Sequence, residues 1–336
     1  MPVLIEAYGS PAGRPAGARP VHPGPIVIGL VNNMPDSALQ STEVQFRGLL
    51  EDAAGATEVR LRLSSFAELP RSSEALEHIG RSYWPIEQLY ATSPDALIVT
   101  GTEPRAAHLT QEPYWQRFVE LLMFAEGHTL GSIWSCLAAH AAVQALDGIE
   151  RRRLPEKRCG VYQHSLLAGH SLLAGVLGPM PMPHSRWNEL SLDALRAADY
   201  TVLSWSPGTG ADTFVRQQGS LMLFFQGHPE YEETTLLKEY RRDVGRYLNA
   251  QQPNYPTLPS GYLSADATAL LGAFRERALA ERGAALIGSF PFASVAAGLK
   301  NTWRTASVAM YRNWLSSIVA RRAPTRAADT VSLARL

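Results

Sequence analysis

Three side chains in this sequence, Cys136, His228 and Glu230, are of the types that together make a sulfur nucleophile. A cysteine reacts as its thiolate, and a nearby imidazole can take the proton. Cys136 follows a strand-like run, Thr129 to Trp134, and precedes an alanine-rich helical run, Leu137 to Leu146. That is the layout of a nucleophile elbow: a tight turn lifts the side chain above a sheet, and small neighbours let helix and strand approach. The start of a helix favours the thiolate, and the N–H of Leu137 is then aimed at an oxyanion on a carbonyl attacked by sulfur. Alone, the cysteine is as readily a buried structural residue. The second stretch, Phe224 to Tyr231, carries Gly227, His228, Pro229 and Glu230 after an apolar run. There His228 can act as base and acid, while Glu230 fixes its tautomer and stabilises the imidazolium. Either motif alone is weak, and the two at successive strand ends are stronger. His140 competes as base, but four residues after Cys136 on one helix it points back along that helix.

These groups need a scaffold of strands and helices in alternation. Ile26 to Val31 reads as a buried strand, 32–37 as a turn, and Gln40 to Ala54 as a helix. Glu58 to Leu63, Ala96 to Gly101 and Thr129 to Trp134 read as strands, and Trp115 to Ala125 and Leu137 to Leu146 as helices. Thr201 to Trp205 and Leu221 to Phe225 read as strands, followed by helices over 234–248, 266–282 and 302–321. The fold class is α/β: a doubly wound, mostly parallel sheet with helices on both faces. The expected division is an irregular N-terminal arm over 1–25, rich in proline, and a catalytic α/β domain over 26–250. A C-terminal extension over 251–321 packs its helices on the same domain, and 322–336 form a frayed tail.

Bulk properties narrow the function classes. The 336 residues are 46% apolar and carry 31 basic and 31 acidic side chains. Zero net charge argues against a nucleic-acid partner, which calls for a basic surface, and gives no reason to expect an anionic membrane. Two cysteines imply no disulfide framework, so the cytoplasm is the expected compartment. No secretory signal or membrane-spanning run is read, and no metal site is suggested by the spacing of His and Cys.

Cys136 with the Gly227–Tyr231 turn resembles the class I glutamine amidotransferase-like fold and, more narrowly, the homoserine O-succinyltransferase/O-acetyltransferase family. The likeness extends through Asn33-Met34-Pro35, Thr42 to Phe46, Leu97 to Gly101, Tyr114-Trp115, Glu156 to Tyr162, Pro183 to Arg186, Arg242 to Val244, Trp303-Arg304 and Asn313 to Leu315. It implies that Cys136 takes an acyl group from acyl-CoA, that His228 activates an acceptor hydroxyl, and that Glu230 orients His228. It implies an amino-acid acceptor held by Lys157, Ser185 and Arg242, no tightly bound cofactor beyond acyl-CoA as co-substrate, and a homodimer. The sequence departs from the family where Asp36 and Ser37 replace lysines after Met-Pro, and where Leu137 replaces a tryptophan. At the position that separates acetyl from succinyl users stands Arg105, whose guanidinium could pair with a succinyl carboxylate. The expected function is therefore acyl transfer, succinyl over acetyl, to homoserine or a similar hydroxy amino acid. The alternatives are an amidotransferase-like cysteine hydrolase and a non-catalytic ligand-binding paralogue. The first lacks the Gly-x-Cys-x-Gly elbow, since Trp134 and Ala138 flank Cys136; retention of all three catalytic types argues against the second.

Overall fold

Uninterrupted apolar runs become strands buried on both faces, and these set the centre of the molecule. In the computed structural model the described residues are 2–9, 24–167 and 169–333, with side chains through residue 322. The first half contains β1 (Val3–Ile5), β2 (Ile26–Val31), α1 (Asp36–Ala54), β3 (Val59–Ser64), α2 (Ser73–Ser82), α3 (Ile86–Ala91), β4 (Ala96–Val99), α4 (Trp115–His128), β5 (Gly131–Ser135) and α5 (Leu137–Asp147). Then follow β6 (Arg152–Leu166), β7 (Met180–Glu189), α6 (Leu192–Ala197), β8 (Thr201–Val202), β9 (Ser204–Ser206), β10 (Gly210–Ala211), β11 (Thr213–Gln218) and β12 (Ser220–Phe225). Among the described residues there follow α7 (Thr235–Leu248), α8 (Ala265–Ala280), α9 (Phe292–Ala296) and α10 (Arg304–Leu333).

Eight strands form the main sheet in the order β1-β3-β2-β4-β5-β12-β11-β8. The pairs from β1 to β12 are parallel, and β11 and β8 add an antiparallel edge. Alternate residues of each strand serve opposite faces. Ile28, Leu30, Ile98 and Ile133 pack with Phe46 and Leu49 of α1 and Trp314 and Ile318 of α10. Leu97, Val99 and Trp134 pack with Phe118 and Leu121 of α4 and Ala139 and Val143 of α5. The expected α/β sheet with helices on both faces is the one observed. A four-stranded sheet, β10-β9-β6-β7, shares no strand ladder with it.

Several expectations are corrected. Val3–Ile5, assigned to an irregular arm, pair with Val59–Leu61 as the edge strand of the main sheet; residues 10–23 of that arm lie outside the described set. The strand expected over 201–205 divides at Leu203: β8 joins the main sheet and β9 the small one. The long β6 and β7 went unread because prolines (155, 181 and 183) and many polar residues break their alternation, and a register shift between Arg153 and Arg158 interrupts the ladder. The tail read as frayed from 322 continues α10 as far as Leu333. Residues 251–300 supply a layer on α7, where Leu237, Tyr240 and Val244 meet Leu271, Phe274, Phe290 and Val295.

Candidate active site

β5 ends at Ser135, and α5 begins at Leu137, so a single residue must turn the chain. Cys136 does so at φ 52° and ψ −109°. Few residues other than glycine take positive φ, and such conformations persist where the surroundings over-determine them. Here the Cys136 N–H donates to Phe225 O at 2.7 Å and its carbonyl accepts from His140 N–H at 3.2 Å. The first bond joins the elbow to the end of β12, whose Phe225 pairs in register with Ser135. Parallel neighbours thus bring Cys136 and the turn after Phe225 together, as the sequence suggested. From β4, Gly101 approaches Leu137 so closely that an added Cβ would lie 2.6 Å from Leu137 Cβ and 3.1 Å from its amide nitrogen.

His228 is buried, and its Nδ1 lies 2.9 Å from Glu230 Oε1. Tyr231 stacks on the imidazole with ring centroids 4.2 Å apart. The backbone is pinned from behind: Gly227 N–H donates to Asp212 Oδ1 at 2.7 Å, and His228 N–H to Pro183 O at 2.9 Å. Burial opposes an imidazolium here, but the Cys136 sulfur and the Glu230 carboxylate outweigh it and hold the His228 pKa well above the ordinary value. With Nδ1 occupied by Glu230, Nε2 is left for chemistry. His140 has the opposite character. Burial and the Arg186 charge push it down to about 3, and its Nε2 lies 2.9 Å from Gln226 Oε1, so it is a neutral core residue. Burial pushes the Cys159 thiol up to about 12, which leaves it inert.

Cys136, His228 and Glu230 line a cavity of about 210 Å³ together with Lys157, Ser185 and Arg242. The structure brings these six residues together. Lys157 comes from β6, Ser185 from β7 and Arg242 from α7. Two carboxylates that sequence reasoning missed organise them. Lys157 Nζ donates to Asp243 Oδ2 at 2.7 Å, Arg242 Nε donates to Asp243 Oδ1 at 3.0 Å, and Ser185 Oγ donates to Glu239. Tyr231 O–H donates to Glu239 Oε1 at 2.5 Å. Burial works against the charges of Glu239 and Asp243, yet Lys157 and Arg242 keep both pKa values below the ordinary range. Glu239, Arg242, Asp243 and Arg246 fall at i, i+3, i+4 and i+7, a spacing that reads as the solvated face of a helix.

Arg105 is not in this cavity. It is exposed on the loop after β4 and lines a separate hollow with Asp36, Ser37 and Arg71. Glu112 Oε1 accepts from the backbone N–H groups of Arg105 and Ala106 at 2.6 and 2.8 Å and fixes the loop there; its neighbours Thr102 and Glu103 reach the cavity, and Arg105 does not.

Behind the His228 turn, strand pairing gathers His164, His184 and Asp212, all buried, with ligand-type atoms within 4.8 Å of one another. No spacing in the sequence announces this group. Its chemistry suits scaffolding rather than cation binding. Arg186 Nε donates to His184 Nδ1 at 3.2 Å and places a guanidinium beside it. Both His164 nitrogens have partners in Tyr162 O and Thr209 Oγ1. Among the described residues no helix is long and apolar enough to cross a membrane.

The sequence profile of homoserine O-succinyltransferase matches residues 16–325. A homoserine O-succinyltransferase from Rhodopseudomonas palustris is 44% identical, with 94% of each chain covered. Those from Methylorubrum extorquens and Bradyrhizobium japonicum are 44% and 42% identical, covering 87% and 91% of this chain and 86% and 94% of theirs. Among solved structures, a glutamine amido transferase from Methylobacillus flagellatus shares the fold at a TM-score of 0.50 and 13% identity, over 87% of this chain and 94% of its own.

Proposed function

Since the chain belongs to the homoserine O-succinyltransferase family, we propose that it moves a succinyl group from succinyl-CoA to the hydroxyl of homoserine through an acyl-enzyme at Cys136. The observation that carries this reading is the single cavity in which Cys136, the His228–Glu230 pair and the Lys157–Arg242 cluster face one another. His228 Nε2 takes the Cys136 proton, and the sulfur attacks the thioester carbonyl. The N–H of Leu137, at the start of α5, stabilises the oxyanion. Collapse breaks the bond to CoA sulfur, which leaves with the proton held by His228. In the second half the acceptor hydroxyl gives its proton to His228 as its oxygen attacks the acyl carbon. Collapse then releases the ester, and the proton returns to sulfur. Glu230 holds Nδ1 throughout and stabilises the imidazolium in both halves.

The far end of the acceptor is a zwitterion. Arg242 and Lys157 suit its carboxylate, since a guanidinium can pair with one bidentately. Glu239 suits its ammonium, and Ser185, which now donates to Glu239, is free to turn toward the ligand. Donor choice rests on the names of the relatives, because Arg105 lies outside the cavity. The test is intact-mass analysis after incubation with succinyl-CoA alone. Wild type and Cys136-intact Cys159→Ala gain one succinyl group, Cys136→Ala gains none, and homoserine then removes the adduct. Equal labelling of Cys136→Ala, or no adduct on wild type, refutes the acyl-enzyme.

A further inference from the structure

Cys136 lies where two cavities meet. Besides the 210 Å³ volume described above, a larger one of about 540 Å³ reaches it from another side. Cys136, Leu137, Ser185 and Trp187 line both, so a molecule in either can present a reacting atom to the sulfur. Their charges differ. The smaller cavity mixes Lys157, Arg242 and Arg246 with Glu103, Glu239 and Asp243, which suits a zwitterion. The larger is lined by His108, Arg151, Arg153 and Arg186, with Glu150 as its one acidic residue, which suits an anion.

The basic groups of the larger cavity are not equivalent. Arg186 is already engaged with His184 Nδ1, Asn188 O and Thr209 O. Arg153 is exposed and stacks over Trp187, 4.8 Å from the ring centroid. Arg151 is half-buried and makes no hydrogen bond or ion pair among the described residues. A guanidinium withdrawn from water without a partner is costly unless a ligand supplies the anion. Tyr114, Cys136 and the Glu112 carboxylate lie within electrostatic range of Arg151, none of them in hydrogen-bond contact with it, and Cys136 lines the same cavity. The volume is that of a small-ligand site, large enough for a thioester arm.

Resting on the acyl-transfer reading above, we propose that this second cavity receives the acyl donor and that Arg151 binds an anionic group of that donor. Donor and acceptor then approach Cys136 from different sides, and Arg151 takes the part expected of Arg105. Two groups of the donor share the required chemistry, the free carboxylate of the succinyl chain and the phosphates of CoA. Both offer oxygens that a guanidinium can pair with bidentately.

The experiment follows acyl-enzyme formation, without acceptor, by quenched-flow mass analysis of wild type, Arg151→Gln and Arg151→Lys. Three donors are compared: succinyl-CoA, acetyl-CoA, and the succinyl thioester of N-acetylcysteamine, which keeps the carboxylate and lacks the phosphates. Arg151→Gln is expected to raise the half-saturating succinyl-CoA concentration on the order of tenfold or more. Arg151→Lys recovers part of this loss, and the KM for homoserine stays within about twofold of wild type in both variants, well below the tenfold expected from a lost charge-assisted bond. If the carboxylate is bound, both succinyl thioesters lose and acetyl-CoA does not. If the phosphates are bound, both CoA thioesters lose and the N-acetylcysteamine thioester does not. Unchanged acylation by all three donors, equal loss with all three, or a loss confined to homoserine overturns the assignment. A wild type that no thioester acylates instead refutes the acyl-enzyme reading beneath it.

Discussion

Gly227 offers the sharpest test of how His228 is held. Its side-chain space is closed by atoms that cannot easily move: an added Cβ would lie 2.5 Å from Met182 Cγ, 2.8 Å from Asp212 Oδ1 and 2.8 Å from Pro183 O. Ordinary carbon contacts lie at about 3.5–4.0 Å, so Gly227→Ala calls for a displacement of roughly 1 Å. Met182 can give at its side chain. Pro183 O is backbone held by His228 N–H, and Asp212 is held by Gly227 N–H itself. The turn must therefore move, and it carries His228, the proposed base. Overpacking of this kind costs about 1–3 kcal/mol, which in a chain of this size lowers Tm by roughly 1–4 °C. A 1 Å misplacement of a catalytic group can cost about 100-fold. The expected outcome is a folded variant with kcat/KM lowered on the order of 100-fold and homoserine KM changed far less. Gly80→Ala is the control: an added Cβ there meets nothing within 4 Å, and the helical position should leave Tm equal or slightly higher. The assays are steady-state kinetics and thermal melts. Wild-type kcat/KM in Gly227→Ala refutes the reasoning, as does a loss that appears equally in Gly80→Ala.

Two further outcomes follow from the electrostatics. Glu230→Gln is expected to lower kcat on the order of 100-fold or more. Because Glu230 helps to raise the His228 pKa, the alkaline limb of the pH–rate profile should move to lower pH; an unmoved limb would mean that Glu230 is structural. The second concerns Glu239 and Asp243, whose folded pKa values lie below their ordinary 4.5 and 3.8. A carboxylate with a depressed folded pKa contributes stability that is full above its unfolded pKa and fades as pH falls through the folded one. The urea midpoint should therefore hold from pH 7 to about 5 and drop below about 4, and this drop should be smaller in Glu239→Gln; an equal drop in the variant would remove the cluster from the acid response.

What was legible in the sequence is what depends on local pattern. The runs Ile26 to Val31, Ala96 to Val99 and Leu221 to Phe225 are apolar without alternation, as strands covered on both faces must be, and they are the central strands. Cys136 and His228 were legible because each directly follows such a run. The cation–carboxylate cluster was half legible. Lys157, Ser185 and Arg242 came from family resemblance, while Glu239 and Asp243, which organise them, look like any charged helix face until β6 and β7 are folded over α7. Those strands resist reading because their environment is mixed and their ladder is interrupted. Arg105 is a different case: position along the chain does not reveal which residues of a loop face the cavity, and here Thr102 and Glu103 do while Arg105 lines the neighbouring hollow. Arg151 carries no local signal: the cavity separates it from Arg152, and its partial burial separates it from the exposed Arg153 that lines the same cavity.

The way the site is divided between the two sheets has its own logic. Met34 and Pro35 follow β2, Gly101 follows β4, Cys136 follows β5 and His228 follows β12. These are the carboxyl ends of four adjacent parallel strands, and the order of connection reverses between β2 and β4, where open α/β sheets form a ligand crevice. Asn33 N–H donating to Thr100 Oγ1 at 2.8 Å ties the two sides of that crevice together. The proposed nucleophile and its base thus both stand at the ends of main-sheet strands. Lys157 and Ser185 come from the small antiparallel sheet, and Arg242, Glu239 and Asp243 from the helix against it. In the proposed reaction the main sheet therefore places the sulfur and its base, and the small sheet and α7 place the groups that suit an amino-acid acceptor. Substitutions in β6, β7 or α7 should then alter which acceptor is used before they alter whether Cys136 can be acylated, whereas changes at the four strand ends should do the reverse.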